Sequence, residues 1–185
     1  MRYPPEHKRA ARARMIAAGA ALAKKAGFAA TGMDALAAAA EVTTGALYSH
    51  FRSKSALLRA LVEHELGRTA KFFTGKSAPE MQMALTWYLS PQHIAHPEKG
   101  CALPALGAEI ARADDETRER FQALLLEVVA SLETGAGSRD KAWAVLAQSV
   151  GGVLLARALP EGAAREDLLA AVLAASQKAL QETLG

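Results

Sequence analysis

Residues 31–54 contain three helix-start signals so closely spaced that only short helices fit between them. The stretch reads TGMDALAAAAEVTTGALYSHFRSK. Thr31, Thr43 and Ser53 are all residue types that favour the N-cap position, where a side-chain oxygen accepts a hydrogen bond from a nearby backbone amide. The sequence therefore predicts two short helices joined by a turn that starts at Glu41, with a third helix beginning after Ser53.

Each of the two short helices has one apolar face. In the first, apolar residues recur at helical spacing: Met33, Leu36, Ala37 and Ala40. In the second, Leu47 and Phe51 share a face, and the opposite side carries small or hydrogen-bonding side chains. Such a pair is typical of a helix-turn-helix, whose second helix enters the major groove of DNA.

The same residues closely resemble the DNA-binding domain of TetR/AcrR-family transcriptional regulators. The resemblance covers roughly residues 8–68 and rests on many spaced identities: Gly27-Phe28, Thr31, Met33, Leu36, Ala40, Val42-Thr43, Gly45-Ala46-Leu47-Tyr48, His50-Phe51, Ser53-Lys54 and Leu57. It implies an all-α protein, with a helix-turn-helix domain followed by a helical domain for effector binding and dimerisation. It also implies a ligand-responsive regulator, most often a homodimeric repressor that leaves a palindromic operator when a small-molecule effector binds.

The resemblance assigns contacts with double-stranded DNA to eight residues: Thr31, Thr43, Thr44, Gly45, Ala46, Tyr48, His50 and Lys54. Thr44 and Gly45 occupy positions where base edges are usually read. Thr31, Tyr48, His50 and Lys54 match family positions that hold phosphates, which orient the helix without reading sequence. A structural role inside the domain is the alternative for Tyr48 and His50.

Charge is divided unevenly along the chain. Residues 1–76 hold 13 Lys and Arg against 5 Asp and Glu, a net charge of +8, whereas residues 77–185 hold 9 against 14, a net charge of −5. A basic amino-terminal part suits a polyanionic partner. A solvated basic surface is the alternative, and the helix-turn-helix pattern favours DNA.

Composition favours an all-α fold. Hydrophobic residues make up 51% of the chain and aromatic residues only 5%, because alanine dominates, and alanine is the strongest helix former. No segment alternates with the period of a strand. Without a signal-like segment or a span of about 20 apolar residues, we expect a cytoplasmic protein with no membrane contact, and the single cysteine fits a reducing compartment.

We expect three parts: a mobile arm over residues 1–6, a DNA-binding domain over residues 7–68, and an effector-binding and dimerisation domain over residues 69–185. The two prolines of the first part predict the arm. A helix starting at Ser53 is expected to continue to about Phe73. Residues 91–100 and 134–138 are predicted to be loops, because Pro, Gly and polar residues interrupt the helical pattern there.

The helix predicted over residues 139–159 is apolar nearly all round, since Arg157 is its only charge between Ala142 and Ala158. Such a helix must be buried on nearly every side. The family pairs this helix and the last one with their copies in a second subunit, which implies these interface residues: Trp143, Leu146, Val150, Val153, Leu154, Leu169, Val172 and Leu173. The alternative is that the helix forms the core of a monomer.

The effector is expected to lie among four residues of the second domain: Trp87, Tyr88, His93 and Cys101. The family holds effectors among its central helices, in pockets that are mostly apolar with few polar groups. Ordinary core packing is the alternative for Trp87 and Tyr88. Glu109 is expected to be a surface charge.

Cys101 follows Gly100 at the predicted start of a helix, where free backbone amides favour a thiolate. A Gly-Cys pair followed by a helix with a Glu also resembles the central region of some family branches, electrophile sensors among them. Redox or electrophile sensing is therefore a second hypothesis, beside reversible binding of a small, mostly apolar molecule.

No catalytic residue, cofactor or metal site is predicted. Cys101 and a histidine form a conceivable nucleophile pair, but no orienting Asn or Asp is identifiable. His93 and His96 lack an acidic or cysteine partner at metal-ligand spacing. A helical protein–protein adaptor is a further alternative, and the intact recognition helix argues against it.

Overall fold

The computed structural model describes residues 5–181, with side chains from residue 6 to residue 180. This part of the chain is about 81% helical and contains no strand, so the predicted all-α fold is confirmed. A short 3-10 helix at Pro97–Lys99 separates the sixth and seventh α-helices. The α-helices are α1 (Pro5–Ala26), α2 (Met33–Ala39), α3 (Thr44–His50), α4 (Lys54–Phe73), α5 (Ala78–Tyr88), α6 (Pro91–Ala95), α7 (Leu103–Ile110), α8 (Asp115–Ala136), α9 (Arg139–Ala158) and α10 (Ala163–Gln181).

Two of the three predicted caps start the helices as expected. The Thr43 hydroxyl accepts a hydrogen bond from the Ala46 amide at 3.1 Å, and the Ser53 hydroxyl accepts one from the Ala56 amide at 3.0 Å. Thr31 was wrongly predicted as a cap, since Gly32 occupies the N-cap of α2. The buried Thr31 hydroxyl instead donates to the Gly27 carbonyl at 2.6 Å.

Of the expected arm, residues 1–4 lie outside the described residues. Pro5 and Glu6 were also expected in the arm, but they already belong to α1. Proline fits the first turn of a helix because the amide it lacks would have no partner there. The other end of α1 follows the prediction, with Gly27 in the left-handed conformation at a φ of 81°.

A hydrophobic core runs through both halves of the chain. Helix α4 packs along α8 and also contacts α1, and its apolar face includes Leu57, Leu61 and Leu66. The expected domain boundary at residue 68 falls inside this uninterrupted helix. The division into two domains therefore stays a prediction, and α4 is the element shared by both.

Two predicted loops are partly helical. Residues 91–100 form α6 and the 3-10 helix, because Pro91 and Pro97 each stand in a first helical turn, where proline is tolerated. Thr134–Ala136 are the last residues of α8, which ends at Gly137 with a φ of 74°. Gly135 is helical and packs so closely that a Cβ there would lie 2.9 Å from the Met81 Cε.

Helix α9 is buried on one face of the single chain. Its inward residues include Val145, Gly152 and Val153, whereas Leu154 and Leu155 are 53% and 55% exposed. The single chain therefore does not bury α9 on nearly every side. No helix within residues 5–181 has the length and apolar character needed to cross a membrane.

Candidate nucleic-acid interface and effector cavity

One face of helix α3 packs on the apolar core, and the opposite face is exposed to solvent. Leu47 and Phe51 are almost completely buried and fix the helix against its neighbours. Thr43 and Gly45 are exposed, as is 49% of Tyr48. A Cβ built on Gly45 would meet no atom within 4 Å, so the backbone lies open there. The exposed side of α3 carries no Lys, Arg, Asp or Glu.

Thr44 and Ala46 lie half-buried on the same helix. The Thr44 hydroxyl donates to Asp34 Oδ1 at 2.6 Å, which joins the starts of α2 and α3. The proton of the Thr44 hydroxyl is therefore already bonded to Asp34 and is not free to bond a base edge in this conformation.

Cations from α1 stand beside the end of α3. The Arg12 guanidinium lies 4.9 Å from the centre of the Phe51 ring. Burial, and then the charges of Lys8 and Arg12, lower the pKa of the neighbouring His50. The His50 Nδ1 is buried without a hydrogen-bond partner in the described chain. Lys8 and Arg12 therefore lie beside the end of α3, as the basic start of α1 allows.

Lys54 and Thr31 have internal partners. The Lys54 ammonium donates to the Ala29 carbonyl at 3.0 Å and lies 5.1 Å from the centre of the Phe28 ring. Lys54 is nevertheless partly exposed, whereas Thr31 is buried. The Thr31 side chain is therefore not brought to the α3 surface with the other predicted residues.

A cavity of about 530 Å³ lies between α4, α5 and the segment before α7. Two large aromatic rings on its wall are half-exposed, Phe72 at 53% and Trp87 at 52%. The lining residues are Glu65, Arg68, Thr69, Lys71, Phe72, Phe73, Ala84, Trp87, Tyr88, Lys99, Gly100 and Cys101. Three of the four predicted effector residues thus meet at one cavity, which α4 helps to form.

His93, the fourth, packs behind the cavity wall. Its Nδ1 donates to the Tyr88 carbonyl at 2.5 Å, and its Nε2 accepts from the Cys101 amide at 3.2 Å. The ring centre lies 4.9 Å from that of Trp87 and 4.6 Å from that of Tyr88. Burial lowers the pKa of His93, so the neutral imidazole is favoured and both hydrogen bonds are kept.

The surroundings of Cys101 disfavour a thiolate. Burial raises the pKa of the thiol, although its sulfur accepts a hydrogen bond from the Leu103 amide at 3.4 Å. This direction opposes the expected thiolate, because desolvation outweighs the amides at the start of α7. His93 contacts the backbone of Cys101, so the two do not form a nucleophile pair.

A buried ion pair connects α1 to the cavity wall. The Lys24 ammonium donates to Glu65 Oε2 and to the Gly100 carbonyl, both at 2.9 Å. Glu65 and Gly100 line the cavity. The sequence carried a signal for this pair, because each charge stands four residues after an apolar core residue, Ala20 and Leu61 respectively.

Glu109 forms a second connection between the two halves. Its Oε2 accepts from the Phe28 amide at 3.0 Å, and its Oε1 accepts from the Ala29 amide at 2.9 Å. Glu109 is partly exposed, as expected for a surface charge, and it also serves as the acceptor for two amides that follow the end of α1. These two hydrogen bonds connect α7 to the segment between α1 and α2, which leads to the helix-turn-helix.

The predicted dimer residues are placed in different environments. Val153 and Leu169 are buried within the single chain, and Val172 packs against Gly152. Leu154 is exposed beside Leu155, which the sequence prediction omitted. Four others are partly buried against the main core: Trp143, Leu146, Val150 and Leu173. Among the described residues, no three His, Cys, Asp or Glu side chains are grouped as metal ligands.

Residues 15–61 match the family model described as "Bacterial regulatory proteins, tetR family". No well-characterised protein matches the chain significantly by sequence. Solved structures share the fold over nearly the whole length.

A TetR-family regulator from Cytophaga hutchinsonii is 18% identical, with a TM-score of 0.76 over 97% of this chain and 98% of that one. The reduced form of E. coli NemR is 24% identical, with a TM-score of 0.67 over 88% and 95%. The regulatory protein TetR from Rhodobacter sphaeroides is 22% identical, with a TM-score of 0.69 over 91% and 98%. Residues 15–61 thus match the DNA-binding domain of the TetR family of bacterial transcriptional regulators, and the chain as a whole shares the fold of solved TetR-family regulators.

Proposed function

We propose that the protein is a homodimeric repressor that binds a palindromic operator and leaves it when a small molecule occupies the cavity. The observation that carries the DNA-binding part is the exposed surface of α3, supported from beneath by Leu47 and Phe51. Such a surface can approach base edges in the major groove, while cations at its margin meet phosphates.

Individual roles follow from exposure and partners. Gly45 lets the backbone of α3 approach the base edges, and the Thr44 methyl group suits a thymine methyl. Tyr48 offers an exposed hydroxyl to a phosphate. Lys8 and Arg12 supply positive charge beside it. Lys54 holds the loop after α1 and adds charge at the start of α4.

Dimerisation through α9 and α10 is supported by the apolar side chains that one chain leaves exposed. Leu154 and Leu155 project from α9, which carries no charge between Lys141 and Arg157. Residues 168–177 of α10 are also uncharged, and several of its alanines are exposed. Exposed apolar surface of this kind marks an interaction site, and a second copy gives a two-fold axis that matches a palindrome.

Effector response is supported by the two connections between the halves. A molecule that moves Glu65 or Gly100 also acts on Lys24, and so on the end of α1. Glu109 couples α7 to the following residues. The energy available for release from DNA is the difference between the effector's affinities for the two conformations.

Reversible binding is favoured over chemical modification of Cys101. Its raised pKa leaves little thiolate to react with an electrophile or an oxidant. The proposal gives His93 and Cys101 no catalytic role, because their contact uses the backbone amide of Cys101 and not its thiol.

Selection of duplexes from a random pool with the purified protein tests this proposal. We expect an inverted repeat whose half-sites lie about 10 base pairs apart, or a multiple of that spacing, as a two-fold dimer requires. The variant Gly45→Glu should enrich nothing, because its carboxylate would occupy the space needed for close approach and would bring negative charge to a polyanion. An unenriched pool, or an enriched site without two-fold symmetry, would contradict the proposed mode of binding.

A further inference from the structure

The cavity wall carries more positive than negative charge. Arg68, Lys71 and Lys99 all line it, and all three are exposed to solvent. Lys71 and Lys99 make no ion pair within residues 6–180. Glu65 is the only carboxylate among the lining residues. The surplus of cations favours a ligand with negative charge.

The Glu65 carboxylate is already neutralised. Lys24 lies 2.9 Å from it, and both side chains are buried. The Arg68 guanidinium approaches the other carboxylate oxygen at 3.6 Å. A cationic ligand would have to compete with this pair, and separating a buried ion pair is costly because one charge loses its partner. Glu65 therefore does not make the cavity a cation site.

Tyr88 also lines the cavity and carries a weakly satisfied hydrogen-bond donor. Its buried hydroxyl has no nitrogen or oxygen partner in the described chain, and its neighbour is the Cys101 thiol, which is at most a weak acceptor. Buried donors are normally paired with good acceptors, and an oxygen atom is a better acceptor than a thiol sulfur. A ligand oxygen meets that need.

The rest of the wall is apolar and aromatic. Phe72 and Trp87 are half-exposed, although rings of this size gain from being covered. Phe73 and Ala84 add further apolar surface. The volume of about 530 Å³ is within the range of small-molecule sites. The aromatic surface suits the body of a ligand, and the cations and the hydroxyl suit its polar end.

We propose that this cavity selects a small amphipathic carboxylate, with an aromatic or alkyl body and a single negative charge. This inference rests on the proposed function, because it names the class of effector for the same cavity. The body covers Phe72 and Trp87, and the carboxylate lies in the field of Lys71 and Lys99. The Tyr88 hydroxyl donates a hydrogen bond to the ligand.

Calorimetric titration of the full chain with three molecules of one skeleton tests the charge preference. The probes are phenylbutyrate, phenylbutanamide and phenylbutylamine, which are anionic, neutral and cationic at neutral pH. We expect phenylbutyrate to bind at least about tenfold more tightly than the amide, as a charged hydrogen bond would provide, and the amine to bind most weakly. Equal affinities, a preference for the amine, or no binding by any probe would overturn the inference.

Matched variants test which residues produce the preference for the anionic probe. The double variant Lys71→Gln/Lys99→Gln should reduce the preference for phenylbutyrate severalfold. Arg139→Gln/Lys178→Gln makes the same change in net charge outside the cavity and should keep the preference. Tyr88→Phe removes only the hydroxyl and should weaken phenylbutyrate binding severalfold. A preference unchanged in both Lys71→Gln/Lys99→Gln and Tyr88→Phe would contradict the assigned residues.

The same titrations separate this inference from the proposed function. If phenylbutyrate binds selectively but does not release DNA, the ligand class stands and the proposed regulation fails. If DNA is released by an uncharged or cationic molecule that binds the cavity more tightly than phenylbutyrate, the regulation stands and the carboxylate assignment fails.

Discussion

At the scale of single residues, His93 joins two segments through a neutral imidazole. Its Nδ1 donates to the carbonyl at the end of α5, and its Nε2 accepts from the amide of Cys101. The second hydrogen bond requires an unprotonated Nε2. Protonation would therefore break the connection and place a charge in a buried site, which is why burial lowers the pKa of His93.

This arrangement predicts a pH-dependent stability. The unfolded chain takes up a proton at His93 near pH 6.5, whereas the folded chain resists protonation until a lower pH. The contribution of neutral His93 to the free energy of unfolding is therefore complete above pH 6.5 and is lost as the pH falls through the lowered pKa.

We expect the urea midpoint of the wild type to fall more steeply between pH 7.5 and pH 5 than that of His93→Gln. Glutamine can donate and accept as neutral histidine does, but it does not titrate in this range. Parallel pH curves for the two proteins would contradict the role given to His93.

At the scale of elements, the segment before α7 is shaped by the close approach of Gly100 to His93. A Cβ on Gly100 would lie 2.2 Å from the His93 Nε2 and 2.5 Å from its Cδ2. The φ of Gly100 is −88°, which any residue adopts, so the requirement for glycine is steric. The Gly100 carbonyl also accepts from Lys24, so displacing this segment disturbs the connection with α1.

Gly100→Ala should therefore destabilise the protein. We expect a loss of about 1–3 kcal/mol in the free energy of unfolding, the usual cost of overpacking. Gly107→Ala is the matched control, because a Cβ there would meet no atom within 4 Å and alanine favours the interior of α7. That control should be neutral or stabilising by up to about 1 kcal/mol. Equal stabilities of the two variants in urea denaturation would contradict the steric argument.

Helix positions in the first half were predictable because local chemistry determines them. Thr43 and Ser53 cap their helices through bonds that span three residues, and Gly27 ends α1. Gly32 rather than Thr31 occupies the N-cap of α2, and the Thr31 hydroxyl, buried one residue earlier, donates to the Gly27 carbonyl instead. Proline misled the prediction around residues 91–100, since a proline that breaks one helix also starts another.

The two candidate sites differ in how many of their residues could be predicted from the sequence. The α3 surface is formed by one short segment, so its exposed residues follow from helical periodicity. The cavity combines Phe72 on α4 with Trp87 on α5 and Cys101 before α7. Which distant side chains meet there depends on how α4, α5 and α8 pack, and no local pattern encodes it. The partners of Glu109 could not be predicted for the same reason, because they lie 80 and 81 residues away.

At the scale of the whole molecule, the proposed dimer explains the exposed apolar side chains of α9. Leu155→Glu should convert the dimer to a folded monomer, because a carboxylate buried in the interface without a partner costs several kcal/mol. Leu155 is 55% exposed in the single chain, so the subunit itself should fold normally. Ala123→Glu, at an exposed position of α8, is the control and should remain dimeric in sedimentation analysis. A dimeric Leu155→Glu variant would exclude this face as the interface.

DNA binding through α3 is the central claim, and the salt dependence of duplex affinity tests it most directly. The logarithm of the wild-type association constant for its selected duplex should fall linearly with the logarithm of the salt concentration. The slope of that line should be about −0.9 for each phosphate contacted. Gly45→Glu should bind at least about tenfold more weakly at every salt concentration, since an unpaired carboxylate would meet the DNA surface. Ala123→Glu should match the wild type. An affinity independent of salt, or equal affinities for Gly45→Glu and Ala123→Glu, would contradict the account.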